Sequence, residues 1–202
     1  MPQVLTRQKS RSQSVQLNQE NQLTTMRRYA IAAAICLLVL AGLAQAQNTG
    51  TTTLSVVVGP EAALTVTTGT TSLSTTSTTF GNPFTGTTNL SYFIRTTKAT
   101  GTGTLTLKIT ADFAGTGGPS VATPPSTGDA LTYTCTVSAP GTACTGSQTA
   151  STTTATSLGS FGAGANSTKT GNSASVAWSL TDDPVYATGT YTATATFTIS
   201  AA

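Results

Sequence analysis

The chain has 202 residues, with nine Lys and Arg, six Asp and Glu, and no histidine. The lack of histidine excludes Ser-His-Asp and Cys-His catalysis and leaves no Ser or Thr with an obvious activating base. Five of the nine cations (Arg7, Lys9, Arg11, Arg27 and Arg28) and Glu20 precede residue 47, so residues 47–202 carry four cations against five anions, a net charge of −1. That balance excludes a nucleic-acid surface, which needs clustered Lys and Arg.

Residues 1–25 are polar, rich in Gln and Ser and without apolar periodicity, and read as an over-long start ahead of Met26. Residues 26–46, MRRYAIAAAICLLVLAGLAQA, read as a secretory signal. Arg27 and Arg28 supply the positive end, residues 29–43 the apolar stretch, and Ala44-Gln45-Ala46 the cleavage motif. A single membrane span is the alternative, but the apolar run is shorter than the ~20 residues a spanning helix needs. The expectation is therefore an exported domain, residues 47–202, with no stable membrane span after cleavage.

That domain holds 45 Thr among its 156 residues, a composition that favours strands. Thr is stiff at χ1 and its hydroxyl competes with helical hydrogen bonds. Residues 51–58 open it with Leu54, Val56 and Val58 on one side and Thr53, Ser55 and Val57 on the other, closed by Gly59-Pro60. A second strand is expected at 62–67, a loop or edge strand at 69–79, and an aromatic-flanked turn from Phe80 to Phe84. Residues 89–97 read as a central strand, with Leu90, Tyr92 and Ile94 on one face and Phe93 and Arg95 on the other. Residues 103–111 alternate cleanly, with Leu105, Leu107 and Ile109 inward.

After a Pro and Gly loop at 115–128, residues 130–138 place Leu131, Tyr133, Cys135 and Val137 inward. Cys144 then returns opposite Cys135, and in an exported domain the pair predicts a disulfide closing a hairpin-like excursion. A weaker strand is expected at 151–161. Residues 173–181 turn Ala174, Val176, Trp178 and Leu180 inward, and Asp182-Asp183-Pro184 ends that strand as a turn. A last strand, 189–200, sets Tyr191, Ala193, Ala195, Phe197 and Ile199 against an unbroken Thr ladder. Seven to nine short strands and no helical period predict an all-β fold, a single antiparallel β-sandwich of Ig-like or pilin-like type, with a barrel as the alternative.

The same residues restrict the chemistry. Two thiolates without histidine do not make a zinc site, no calcium-loop motif is present, and neither a metal nor a cofactor is expected. Asp182 and Asp183 could be imagined as a glycosidase pair, but their place before Pro184 fits a turn better. A non-enzyme is the expectation. Sugar binding through aromatics is the second class, with Phe80, Phe84, Phe113, Phe161 and Tyr186 in or near loops as its candidates. Asn89-Leu90-Ser91 and Asn166-Ser167-Thr168 match the N-glycosylation pattern.

At the C-terminus, Gly189-Thr190-Tyr191 followed by alternating apolar residues through Ala195, Phe197 and Ile199 resembles the closing strand of chaperone-usher fimbrial subunits and spore-coat-U-like domains. There a glycine stands fourteenth from the end, where Gly189 falls. A weaker likeness, through Trp178-Ser179-Leu180 and Thr181-Asp182-Asp183-Pro184, is to the WxL cell-wall domain. Both resemblances imply a β-sandwich on a bacterial surface or in the periplasm, structural or adhesive, whose partners are further copies, other envelope proteins or a glycan. The fimbrial likeness implies assembly by strand addition, with Leu54, Val56 and Val58 on the donor segment. The other reading of residues 51–58 is an ordinary first strand of their own domain.

Overall fold

The structure, a computed structural model, describes residues 22–31, 49–76 and 78–202. They fall into two compact units divided between Ser55 and Val56. In the first unit, residues 22–31 form a helix on which Leu23, Met26, Tyr29 and Ile31 are exposed. Most of the expected signal segment, its cleavage motif included, lies outside the described residues. Among the described residues no helix is long and apolar enough to cross a membrane.

The second unit is an antiparallel β-sandwich of nine strands: β1 (Glu61–Val66), β2 (Phe84–Arg95), β3 (Gly103–Ala111), β4 (Thr132–Val137), β5 (Thr142–Ala143), β6 (Gln148–Thr149), β7 (Thr156–Phe161), β8 (Asn172–Leu180) and β9 (Thr194–Ala201). One sheet runs β1-β2-β8-β4-β6 and the other β5-β7-β3-β9, with every neighbouring pair antiparallel. The period-2 pattern of the sequence becomes the two faces of each sheet. Leu90, Tyr92 and Ile94 of β2, Leu105, Leu107 and Ile109 of β3, and Ala174, Val176, Trp178 and Leu180 of β8 are all buried between the sheets. Two aromatic pairs organise the centre. Tyr92 tilts against Phe161 at 5.2 Å, and Tyr133 meets Trp178 edge-on at 5.7 Å.

Three expectations need correction. Residues 51–58 form no strand. Their alternation is real, but a strand is defined by its partner, and β1 pairs within the domain only with β2. The closing strand begins at Thr194 rather than at 189, because the preceding residues are drawn into the loop after β3. Ala114 N–H donates to Thr192 O, and a side chain at Gly115 or Gly118 would collide with the Tyr191 ring. The third correction concerns the disulfide. Cys135 and Cys144 are joined, with Cα atoms 5.8 Å apart, but they do not close a hairpin within one sheet. Cys135 lies on β4, whereas Cys144 continues β5 and donates its N–H to Leu158 O of β7 in the opposite sheet, so the bond ties the two layers together.

Candidate functional site

Leu54, Val56 and Val58, read from the sequence as one apolar face, are left uncovered, and so is Val57 of the opposite phase. Leu54 is 91% exposed, Val56 84%, Val57 93% and Val58 61%. The segment's end is fixed where it enters β1. Arg95 Nε donates to Gly59 O at 2.7 Å, and Arg95 Nη2 pairs with Glu61 Oε2 at 2.9 Å. Gly59-Pro60 therefore acts as an anchor beside the β1 edge, and the apolar residues ahead of it are presented to solvent.

β1 and β9 are terminal strands of their respective sheets, and they pack near each other on one side of the sandwich. Along this side the core is only half closed. Ala62 and Leu64 of β1 and Ala195, Phe197, Ile199 and Ala201 of β9 pack against the core yet stay partly exposed, whereas the inward residues of β2, β3 and β8 are buried. Neither edge is strongly protected. β9 carries no charged residue and no proline, and the one charge on β1, Glu61, is engaged by Arg95. Natural sheets commonly blunt such edges with Lys, Pro or a bulge; of these β9 has only the register shift in its pairing with β3, between Ile109 and Ala111. Of the closing-strand residues expected from the sequence, Phe197 and Ile199 lie on this half-open strip. Gly189 and Tyr191 do not, the Tyr191 hydroxyl donating to Ala187 O instead.

The acidic residues serve turns. Asp183 Oδ1 accepts the Val185 N–H at 2.7 Å, and Tyr186 N–H donates to Asp183 O. The Val185 hydrogen bond, with help from Ser126, holds the Asp183 carboxyl below its ordinary range. Asp112 is pinned more heavily, accepting from the N–H groups of Phe113, Val121 and Ala122 and from the Ser120 hydroxyl. Asp129 is buried, and its Oδ2 and the Tyr186 hydroxyl complete no hydrogen bond among the described residues. Burial first, then Asp129, Asp183 and Asp182, push the Tyr186 phenol up.

Of the loop aromatics expected as sugar platforms, Phe80 is exposed, Phe84, Phe113 and Tyr186 are partly covered, and Phe161 is core. Sequence reasoning passed over Phe93, which is 44% exposed on the outer face of β2. The signal was present in its phase, opposite to Leu90, Tyr92 and Ile94. Around it, the outer face of β2, β8 and β4 is a field of small polar and Ala side chains. Register sets Thr85 beside Ser179 and Thr132, Thr87 beside Ala177 and Thr134, and Asn89 beside Ser175 and Thr136.

The fold thus defines a two-sheet antiparallel β-sandwich with half-open edges. Comparison with protein-family models, with curated proteins and with solved structures finds no match to this chain.

Proposed function

We propose that this protein is an exported, non-catalytic structural or adhesive component of a bacterial cell surface that assembles by strand addition. Residues 51–58 of one copy serve as donor and the β9 edge of another as acceptor. The observation that carries the reading is the exposure of Leu54, Val56 and Val58, in a chain whose own sandwich is left half closed beside Phe197 and Ile199. An added strand would satisfy the free main-chain groups of the edge and place alternate side chains over the half-covered strip. Burial of the three donor residues contributes roughly 6 kcal/mol before the costs of association, and the main-chain hydrogen bonds of an added strand would have to supply the surplus.

The test is the size of residues 47–202 by light scattering beside residues 59–202. Concentration-dependent oligomers of the longer form only are expected. A monomeric longer form, together with loss of folding in the shorter one, would make residues 51–58 an ordinary part of the domain and remove the proposal's support.

A further inference from the structure

Phe93 is the one aromatic at an outward position of the described strands, and its neighbours leave its ring uncovered. On the β1 side the register sets Ala63 against Phe93, too small to shade it. On the other side β8 begins at Asn172, opposite Tyr92, so beyond that point β2 has no β8 neighbour. Residues 165–168 come alongside instead: Ser167 N–H donates to Ile94 O at 2.9 Å, and Ile94 N–H donates to Ser167 Oγ at 2.8 Å. The turn back into β8 passes the ring at Gly171, whose φ of +81° suits glycine, and where a side chain would press on the Phe93 ring edge. The result is an open cleft of about 370 Å³ with Phe93 among its walls and with Glu61, Arg95, Asn166 and Thr168 around it, at the small end of small-molecule sites.

The polar groups are held and retain unused capacity. Among the described residues Glu61 Oε2 is taken by Arg95 Nη2 while Oε1 has no partner, and Arg95 uses two of its five donors. Asn166 donates its amide N–H to Gly164 O, which orients the group and leaves Oδ1 to accept. The cleft therefore offers an apolar aromatic face, two planar charged groups that cancel in net charge, and a fixed amide. A ligand suited to this has one apolar C–H face, a rim of neighbouring hydroxyls that accept and donate in pairs, and no charge.

We propose that this cleft is a glycan-binding site taking one pyranose ring, stacked on Phe93 and hydrogen-bonded at its rim by Arg95, Glu61 and Asn166. It is distinct from the β9 edge and stands whether or not the chain polymerises. A docking protein is the competing occupant, but the surface continuing from the cleft across β2 and β8 is made of Ser, Thr, Asn and Ala, with no second large apolar side chain to anchor one.

The test is amide chemical-shift titration of the ¹⁵N-labelled protein with cellotriose, chitotriose and mannotriose. At least one should move residues 61–63, 93–95 and 166–172 together, saturating in the millimolar range. Phe93→Ala should weaken that binding by about 10-fold or more, and Phe93→Trp should preserve or tighten it. Native peak dispersion of both variants separates a binding effect from misfolding, and the Trp variant keeps the test decisive should the Ala variant not fold. No shifts from any of the three sugars, shifts elsewhere on the molecule, or an affinity unchanged in Phe93→Ala would overturn the proposal.

Discussion

At the scale of single residues, the strongest polar statements concern groups that finish the fold rather than perform chemistry. Burial works to raise the Asp112 pKa, but three backbone N–H groups and the Ser120 hydroxyl outweigh it and hold the carboxyl below its ordinary 3.8. A group depressed in the folded state contributes stability that is complete above its unfolded pKa and is lost as pH falls through the folded value. Asp112→Asn should therefore lower stability by about 1–2 kcal/mol near neutrality, discounted for partial solvent exposure. The difference from the parent should shrink as the pH falls below the ordinary 3.8 and through the lowered folded value. Urea unfolding at several pH values measures both, and a gap that stays constant into strong acid would contradict the assignment. Thr88 makes a second case. Its hydroxyl accepts the Trp178 indole N–H at 2.8 Å and shares a hydrogen with Thr71 Oγ1, and both Thr88 and Trp178 are buried. Thr88→Val keeps the shape but leaves the indole donor unsatisfied, so it should cost about 2 kcal/mol despite adding apolar surface. A thermal shift of zero or above would show that the indole finds another partner.

At the scale of elements, legibility follows from what a period can and cannot report. β3 and β8 were readable almost to the residue, because Leu105, Leu107 and Ile109, and then Val176, Trp178 and Leu180, alternate with Thr, Ser, Ala and Lys108 on a face that is wet. The same rule misplaced residues 51–58. Alternation states that a segment has an apolar side and says nothing about whether its own domain covers that side. Residues 189–193 failed for another reason: Tyr191 fits the phase, but glycines 115 and 118 make room for its ring outside the sheet. Two cysteines in a domain read as exported predicted a bond, but their spacing, nine positions apart, could not distinguish a hairpin from a crossing between layers. As an inter-sheet tie the disulfide holds β4 to β5 and, through Cys144 N–H, to β7. Loop closure of that length contributes about 2.5 kcal/mol. Cys135→Ala with Cys144→Ala should lower stability by that order, and reductant should have the same effect on the parent and none on the double variant. Phe93, the centre of the proposed glycan site, was legible in phase but not in significance. Its exposure depends on Ala63 across the β1 register and on β8 starting at Asn172, and both are facts of strand pairing.

At the scale of the whole molecule, the question is whether the uncovered face of residues 51–58 and the half-open β1 and β9 side belong to one mechanism. Generic stickiness and strand addition make different demands. A hydrophobic patch that merely adheres uses Val57 as readily as Val56, since both are exposed. An added strand points alternate side chains to opposite faces, so only one phase, Leu54, Val56 and Val58, can cover Phe197 and Ile199, while Val57 stays in solvent with Thr53 and Ser55. A synthetic peptide of residues 49–60 should therefore bind residues 59–202 at one to one and raise their melting temperature, the sandwich being closed along its open side. Replacing Leu54, Val56 and Val58 by Thr should abolish that rise, and replacing Val57 by Thr should leave it within error, since Thr keeps the strand preference and removes only the apolar surface. Equal losses from both phases would reduce the segment to an unspecific adhesive patch. A loss confined to the Leu54 phase would fix the register of assembly and identify Phe197 and Ile199 as the acceptor residues to alter next.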